Sequence, residues 1–567
     1  MRMGWQSLSR VFFSIGFLTA AASLVQTSVA QQTVTPKSES VSITFLGTTD
    51  LHGRIEPWDY FADKPADLGL VKIATLIKQA RAEAPDALLV DSGDMIQDPE
   101  SLLTNYFLAK DTAKLSPTIA VMNQLHYDAM AVGNHEFNFA PQPMWKIKGE
   151  STFPWLCANL KQAYTEGVPY FQPYIIKNVK GVRVGIVAFV APVAPPTKGY
   201  EFEPILQAAK RVIPELRPQV DLLVVLLHSG FVRDPVGEQS VRIQVGGENV
   251  APDLAEQFPS IDLIMYGHTH SELPEKFING VLLTEAKYWG MSLARADVTM
   301  TKNAGGRWEV ASKHSRTIPV TADVAADPEI VKVVQPYRQE LEHYLDTPIA
   351  TSAKDLSGKH SLFEDNPLLD VVQDTQLDAG HADVSMASLL NDGVKIPAGP
   401  VTVRQAGWIY PNSSGIVVVE MTGAQLKEAL EHSASFYSQW PPPPGASIHL
   451  PSTRPDQAAG VSYELDLTEP AGDRIRSLKY RGKPLDPARK LRVAVSAAHR
   501  MGGDGYTIYE GLPVVTRTGD MRELLTDYLG RTKQLPTEAA ENWKIVPPEA
   551  VTAMEKEADA GAASETK

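Results

Sequence analysis

The sequence of 567 residues predicts an α/β protein with two folded domains. Three observations support this prediction. Short apolar runs of strand length alternate with helical segments over residues 41–325, which we assign to a first domain. Residues 326–349 contain one helix with start and stop signals, which we assign as a linker. A second series of strands and helices follows over residues 350–547, the predicted second domain.

The composition is that of an ordinary globular protein, with 43% apolar and 21% charged residues. The net charge of −14 argues against a nucleic-acid backbone as a standing partner. Cys157 is the only cysteine, so no intramolecular disulfide can form.

Residues 1–30 are typical of a cleaved secretory signal peptide. Arg2 and Arg10 provide the basic start, residues 11–24 are mostly apolar, and Ser28-Val29-Ala30 is a small-x-small cleavage site. A membrane anchor is the alternative, but the apolar run is short for a span and lacks a stop-transfer flank. We therefore expect cleavage after Ala30 and a soluble periplasmic or secreted protein with no stable membrane association.

The first domain is expected to open with a strand over residues 41–46, followed by a helix over residues 68–81. Further buried strands are predicted over residues 87–90, 129–132, 182–190, 222–227 and 261–266. Each predicted strand is followed by a polar turn. This alternation is the pattern of an α/β sheet.

The linker helix begins with Asp327 as N-cap and Pro328 at the first helical position, and it runs towards Leu345. The second domain should contain helices over residues 368–377 and 424–433, strands over 416–421 and 491–497, and a Pro-rich loop from residue 440 to about 457. The tail over residues 548–567 has no aromatic residues, and we expect it to be disordered.

Residues able to bind metal follow five of the predicted strands of the first domain. They are the seven residues Asp50 with His52, Asp94, Asn134, His228, and His268 with His270, and His135 follows Asn134 directly. Open α/β sheets place their ligand groups at strand ends. For Asp50 and His52, the spacing of two would put both side chains on one side of the strand end.

Seven ligands exceed the needs of one ion but suit two ions that share a carboxylate such as Asp94. A two-metal site holds the attacking and leaving oxygens of an in-line phosphoryl displacement. Mixed nitrogen and oxygen ligands accept manganese, zinc, iron or cobalt, and the sequence leaves that choice open.

Taken in order, these motifs resemble those of the calcineurin-like metallophosphoesterases. They are Asp50-Leu51-His52, Gly93-Asp94, Gly133-Asn134-His135-Glu136, His228 and Gly267-His268-Thr269-His270. With the second domain, the resemblance narrows to the 5′-nucleotidase superfamily. Residues 59–61, 68–71, 94–97 and 134–138 are most similar to the 2′,3′-cyclic-nucleotide 2′-phosphodiesterase/3′-nucleotidase branch. The resemblance implies a four-layer domain, a β-sandwich flanked by helices, followed by a 5′-nucleotidase-type C-terminal α/β domain.

The resemblance also implies a role for each residue. The first metal would be held by Asp50, His52, Asp94 and His270, and the second by Asp94, Asn134, His228 and His268. His135 would contact the phosphoryl group and stabilise charge in the transition state. Asn138 stands where 5′-nucleotidases have the aspartate that orients this histidine, and it carries no charge.

In the second domain, the resemblance assigns Tyr410 to base stacking, with Asn412 beside it, and Asp504 to the ribose hydroxyls. Ala498 stands where a second stacking aromatic is expected, so that His499 or the aromatic loop over residues 436–440 would have to substitute.

A further departure concerns the 5′-phosphate. Lys395 stands where 5′-nucleotidases usually carry an arginine, and lysine lacks the bidentate fork of arginine. Arg404 is a candidate to compensate, with a surface role as the alternative.

The predicted function is therefore hydrolysis of 2′,3′-cyclic nucleotides to 3′-monophosphates, followed by release of nucleoside and phosphate. The expected partner is a small-molecule nucleotide, and the expected state is a monomer. A 5′-nucleotidase or nucleotide-sugar hydrolase is an open alternative, as are a sulfur-ester hydrolase and a non-catalytic metal-binding protein.

Overall fold

The computed structural model describes residues 39–59, 64–96, 102–109, 113–137, 141–162, 171–192, 200–231, 247–411 and 415–565. The predicted signal peptide, Asn138 and Asn412 lie outside these residues. Within them, no helix combines the length and the apolar character needed to cross a membrane.

Residues 40–319, the N-terminal half, form sixteen strands within the described ranges. They are β1 (Ser40–Thr48), β2 (Trp58–Asp59), β3 (Lys64–Pro65), β4 (Leu88–Asp91), β5 (Ala129–Ala131), β6 (Trp155–Leu156), β7 (Leu160–Gln162), β8 (Tyr174–Val179), β9 (Val182–Val190), β10 (Tyr200–Phe202), β11 (Leu222–His228), β12 (Leu263–Tyr266), β13 (Leu273–Ile278), β14 (Val281–Glu285), β15 (Ser292–Lys302) and β16 (Trp308–Pro319). The helices of this half are α1 (Leu70–Glu83), α2 (Leu102–Ala109), α3 (Pro117–Gln124), α4 (Pro141–Glu150), α5 (Ile205–Leu216) and α6 (Ala251–Gln257).

Two six-stranded sheets face each other in the N-terminal half. The first has the order β16-β15-β1-β4-β5-β6 and the second β13-β14-β12-β11-β9-β8. Phe45 and Val90 from the first sheet pack with Ile186, Val224 and Leu226 from the second in one buried core. These strands are rich in β-branched and other apolar residues because both of their faces are buried.

Helices cover the outer face of each sheet. Helices α1 to α4 pack on the first sheet through residues such as Ile73 and Phe107, whereas α5 and α6 pack on the second through residues such as Val212 and Leu254. The result is a four-layer α/β/β/α arrangement, which confirms the predicted fold class.

The strands that lead into the predicted ligands are parallel within each sheet. β1, β4 and β5 are parallel neighbours in the first sheet, and β9, β11 and β12 in the second. Parallel strands end at the same edge, so the turns after β1, β4, β5, β11 and β12 come together there. The strands and the first helix that the sequence predicts are confirmed within a few residues at each end.

Helix α7 (Pro328–Leu345) follows the N-terminal half, as predicted. The carboxylate of Asp327 accepts hydrogen bonds from the N–H groups of Glu329 and Ile330, at 2.9 and 3.2 Å. This N-cap satisfies donors that have no partner within the helix.

Residues 348–565, the C-terminal half, contain thirteen strands and six helices within the described ranges. The strands are β17 (Pro348–Ser352), β18 (Leu356–Ser357), β19 (Val384–Ala387), β20 (Lys395–Ile396), β21 (Gly399–Thr402), β22 (Gly415–Thr422), β23 (Gln457–Ala459), β24 (Val461–Asp466), β25 (Ile475–Tyr480), β26 (Lys483–Pro484), β27 (Lys490–Ser496), β28 (Val514–Asp520) and β29 (Trp543–Val546). The helices are α8 (Pro367–Gly380), α9 (Val403–Ile409), α10 (Gly423–Ala434), α11 (Ala497–Arg500), α12 (Met521–Thr532) and α13 (Pro548–Glu565). A five-stranded sheet, β23-β19-β27-β22-β28, and a four-stranded sheet, β26-β25-β24-β29, organise this half.

The prediction of a disordered tail is wrong for residues 548–565, because this segment is helix α13. Ala550 and Met554 are buried and join the same core as Trp543 of β29. Residues four apart lie on one face of a helix, and the partly buried Val551, Ala553 and Ala558 pack against the same core. The composition of the tail concealed this narrow apolar face.

Candidate metal centre

Two groups of side chains with metal-site spacing consist entirely of predicted ligands. Asp50, His52 and His270 form one group, and Asp94, His228 and His268 form the other. In each group the ligand atoms all lie within 4.8 Å of one another. A third group in the described part of the chain, His360 with Glu364 and Glu555, lies in the C-terminal half, and its Glu364 is exposed.

Asp94 belongs to the second group and also lies close to the first. Its Oδ2 is 3.0 Å from Nε2 of His228 and 4.0 Å from Nε2 of His52. Its Oδ1 accepts a hydrogen bond from the backbone N–H of His135, at 2.8 Å. Burial opposes its charge, but His228, His135 and His52 outweigh this effect and lower the pKa of Asp94 well below its usual value. Its carboxylate is therefore placed to serve both groups.

Asn134, the seventh predicted ligand, lies beside the second group. Its Oδ1 is 3.0 Å from Nε2 of His228. Nδ1 of His228 in turn lies 2.9 Å from the carbonyl oxygen of Ser92. That contact directs Nε2 of His228 towards Asn134 and Asp94.

The first group is held by contacts on several sides. Nε2 of His52 and Nε2 of His270 are 2.9 Å apart, and Oδ1 of Asp50 is 3.5 Å from the latter. The backbone N–H of His268 points at both carboxylate oxygens of Asp50, at 3.0 and 3.2 Å. Tyr288 stacks on the ring of His270 with 4.9 Å between ring centroids.

The prediction that Asp50 and His52 converge by strand alternation is wrong, because β1 ends at Thr48. Five of the predicted ligand residues instead have left-handed backbone conformations: Asp50 (φ 48°), His52 (48°), Asp94 (57°), His268 (82°) and His270 (52°). Such conformations cost non-glycine residues about 1–3 kcal/mol each and cluster at functional sites. The N–H of Asp50 bonds to the carbonyl of Gly93, and that of His52 to the carbonyl of Asp94, which holds these turns together.

The ligand turns also approach each other closely at Gly133. A Cβ atom on Gly133 would lie 2.1 Å from Oδ1 of Asp94. Only glycine fits there without displacing that carboxylate.

Glu136 joins the turn at Asp94 to the turn at Gly133 through hydrogen bonds, a role that the sequence analysis missed. Its buried carboxylate accepts hydrogen bonds from the backbone N–H groups of Asp94, Met95, Ile96 and Gly133, at 2.6–3.3 Å. Burial raises the pKa of Glu136 to about 8, whereas these four donors favour its ionised form. The only signal in the sequence was its position at the end of the Gly133–Glu136 motif.

Two more carboxylates that the sequence analysis missed lie near the His268–His270 turn. Oε1 of Glu248 is 2.9 Å from Nε2 of His268. The buried Glu285 accepts a hydrogen bond from the hydroxyl of Ser271 at 2.5 Å, and burial raises the pKa of Glu285 to about 8. Neither residue stands in a motif, so only the folded chain brings them to the site.

His135 lies next to the first group, with its ring centroid 5.2 Å from that of His52. Burial lowers the pKa of His135, which favours the neutral imidazole. The predicted orienting residue, Asn138, is outside the described residues.

The predicted substrate-binding residues of the C-terminal half differ in exposure. Tyr410 is only 5% exposed and belongs to a hydrophobic core, so little of its ring is free for stacking. The Asp504 side chain is 54% exposed, and its Oδ2 lies 3.2 Å from Nε2 of His499. Asn412 lies outside the described residues.

The candidate substitutes for the aromatic missing at Ala498 differ in burial, because Phe436 and Trp440 are only half-buried. His499 is 12% exposed, and its ring stacks on that of Tyr506 at 4.4 Å. Burial opposes its charge, but hydrogen bonds and the charges of Asp456 and Asp504 prevail and raise the pKa of His499. Tyr437, in the aromatic loop, is buried.

Arg404, the candidate replacement for the missing phosphate-binding arginine, is already paired. It forms ion pairs with Glu342 and Asp346 at the end of α7. Lys395 is exposed and lines a groove of about 610 Å³ on the C-terminal half.

The donor set at the strand ends fits divalent metal ions. It combines carboxylate, imidazole and amide donors, the ligands preferred by borderline cations. Metal–ligand bonds of about 2.0–2.2 Å place neighbouring ligand atoms roughly 3 Å apart. The contacts of His228 with Asp94 and Asn134, both at 3.0 Å, have this spacing.

Comparison with known proteins agrees with this geometry. Residues 43–272 match the family model of the calcineurin-like phosphoesterases, and residues 348–511 match the model of the 5′-nucleotidase C-terminal domain. A 2′,3′-cyclic-nucleotide 2′-phosphodiesterase/3′-nucleotidase from Yersinia enterocolitica is 30% identical, over 92% of this chain and 91% of that protein.

Two further similarities extend the comparison. The trifunctional nucleotide phosphoesterase protein YfkN from Bacillus subtilis is 29% identical over 91% of this chain, which spans only 40% of that longer protein. A Staphylococcus aureus structure, provisionally classed as a 5′-nucleotidase and solved with α-ketoglutarate, superposes with a TM-score of 0.69. It is 23% identical and covers 89% of this chain and 100% of its own, so it supports the fold alone.

Proposed function

Because the chain belongs to the 5′-nucleotidase family of calcineurin-like metallophosphoesterases, we propose that it hydrolyses 2′,3′-cyclic nucleotides and then the resulting 3′-nucleotides. The chain is a metal-dependent phosphoester hydrolase. The observation that carries the proposal is the position of Asp94, whose carboxylate belongs to one group of ligand side chains and lies close to the other. The substrate class rests on the relative from Yersinia enterocolitica, with which this chain is 30% identical over nearly its whole length.

Two divalent ions would be held by the seven predicted ligands. Asp50, His52 and His270 would hold the first, Asn134, His228 and His268 the second, and Asp94 both. Manganese, zinc, iron and cobalt all suit this donor set. When bound, such ions activate water for attack on phosphorus and neutralise charge on the phosphate.

The protein itself would position the substrate and stabilise its charge. A neutral His135 can donate one ring N–H to a phosphoryl oxygen, with Asn138 as the proposed orienting residue. The exposed carboxylate of Asp504 can accept hydrogen bonds from ribose hydroxyls. Tyr410, with Asn412, would stack on the base only after exposing more of its ring.

The two cationic candidates for phosphate capture argue for the cyclic and 3′ substrates. Arg404 is held in ion pairs with Glu342 and Asp346, so it is not free to bind a 5′-phosphate. Lys395 offers a point charge without a bidentate fork.

We further propose that the protein is secreted or periplasmic after cleavage behind Ala30, and that it acts as a monomer.

The test compares release of phosphate and nucleoside by the metal-loaded protein from 2′,3′-cyclic AMP, 3′-AMP and 5′-AMP. We expect turnover of the cyclic and 3′ substrates to dominate, and the variant Asp94→Ala to be inactive on all three. Dominant turnover of 5′-AMP would overturn the proposed substrate class in favour of a 5′-nucleotidase. Activity confined to sulfur esters would favour the sulfur-ester alternative instead.

A further inference from the structure

The carboxylate of Glu248 contacts one ring nitrogen of the predicted metal ligand His268. Its Oε1 lies 2.9 Å from Nε2 of His268, and the Glu248 side chain is 23% exposed. The other members of the group, Asp94 and His228, have their ligand atoms within 4.8 Å of that of His268.

An imidazole has two nitrogens, and the hydrogen bond made by one decides which can bind metal. A carboxylate accepts hydrogen bonds and cannot donate them when ionised, so Nε2 of His268 carries the proton in this contact. Nδ1 of His268 then keeps its lone pair. Carboxylate–histidine pairs of this kind fix the orientation and tautomer of metal-binding histidines.

We propose that Glu248 is a positioning residue that holds His268 as an Nδ1 donor to the ion bound by Asp94, Asn134 and His228. This inference rests on the proposed two-metal centre. It concerns a residue outside the seven predicted ligands.

The segment that carries Glu248 is also fastened to the turn after His228. The hydroxyl of Ser229 donates to the carbonyl oxygen of Glu248 at 2.6 Å and accepts from the N–H of Val250 at 3.0 Å. The side chain of Asn249 accepts from the N–H of Gly230 at 3.1 Å. Residues 248–250 therefore contact both the turn that follows His228 and the ring of His268.

The two histidines of this group are fixed in the same manner. His228 has Nδ1 bonded to the carbonyl of Ser92, and His268 has Nε2 bonded to Glu248. His270, in the other group, stacks on Tyr288 instead. Loss of Glu248 should thus affect one of the two metal sites.

The test is a calorimetric titration of the metal-stripped mature protein with Mn²⁺, using Glu248→Ala, Glu248→Gln and the wild type. We expect Glu248→Ala to weaken one of two binding steps by about 10–100-fold and to leave the other unchanged. Glu248→Gln, whose amide oxygen still accepts from His268, should fall between Glu248→Ala and the wild type. Glu256→Gln, an exposed glutamate on α6, is the matched control and should bind as the wild type does.

Wild-type affinities in Glu248→Ala would overturn the proposal, as would equal weakening of both steps. A crystal structure of the Mn²⁺-loaded wild type gives a second test that does not depend on the folding of a variant. An anomalous peak beside Nδ1 of His268 supports the proposal, whereas a peak beside Nε2 or the carboxylate of Glu248 makes Glu248 a ligand and refutes it. Metal binding without nucleotide hydrolysis would contradict only the proposed substrate class.

Discussion

Replacement of Glu136 by glutamine changes one carboxylate oxygen, which accepts two hydrogen bonds, into an NH₂ group. In the structure, Oε1 accepts from the N–H groups of Met95 and Ile96, and Oε2 accepts from those of Asp94 and Gly133. Whichever oxygen becomes the amide nitrogen, two buried backbone donors lose their acceptor and face another donor. The change is nearly isosteric, so packing is otherwise kept.

The magnitude follows from those two donors. Leaving one buried donor unpaired costs about 1–3 kcal/mol, so two cost about 2–6 kcal/mol. One kcal/mol corresponds to about 2–4 °C in the melting temperature of a domain of 150–250 residues. Glu136→Gln should therefore lower the melting temperature of the N-terminal half by at least about 4 °C.

Differential scanning calorimetry of the metal-free protein measures this shift at a pH above the Glu136 pKa of about 8, where the carboxylate is ionised. Glu329→Gln is the control, because that glutamate is exposed on α7 and the substitution should change stability by less than about 0.5 kcal/mol. Equal melting temperatures for the two variants would refute the assignment of Glu136 as the acceptor that joins the ligand turns.

Three further predictions concern a metal ligand, an ion-paired histidine and a helix cap. Asp94→Ala should lower phosphate release by more than about 100-fold, because removal of a residue that only hydrogen-bonds to a metal ligand already costs about 10–100-fold and Asp94 is expected to bind both ions. Elemental analysis should find loss of both ions, and retention of two would contradict the shared role. His499→Asn should destabilise the protein more at acidic than at alkaline pH. The raised pKa of His499 means that its protonation stabilises the folded state; this contribution is complete below a pH of about 6.5 and is lost as the pH rises through the folded-state pKa. A pH-independent difference in melting temperature between variant and wild type would contradict this. Asp327→Ala should lower the free energy of unfolding by about 0.5–2 kcal/mol through loss of the N-cap of α7. Thermal unfolding measures this loss. An effect no larger than that of Asp323→Ala, a change at an exposed aspartate, would count against the cap.

The clustering of the predicted ligands could be foreseen because each of them comes shortly after an apolar run of strand length. His228 ends β11, Asp94 comes three residues after the end of β4, and both of these strands are buried. The conformation of Asp50 and His52 could not be predicted, because left-handed turns of non-glycine residues depend on tertiary hydrogen bonds such as that to Gly93. The spacing of two between Asp50 and His52 suggested that the strand continues through them, whereas β1 ends at Thr48 and the chain turns there.

Other features were hidden because they depend on contacts distant in sequence. Glu248 contacts His268 although the two are 20 residues apart in the chain, and no motif marks it. Tyr410 matched a motif, but its burial depends on packing within the C-terminal half. The helical tail was missed because Ala550 and Met554 are too few to raise its apolar composition.

The most direct test of the two-metal centre is an anomalous diffraction map of crystals of the Mn²⁺-loaded wild-type protein. We expect two peaks about 3.5–4 Å apart, one on each side of the Asp94 carboxylate. The first should be bounded by Asp50, His52 and His270, and the second by Asn134, His228 and His268. A single peak, or two peaks that do not share Asp94, would contradict the account.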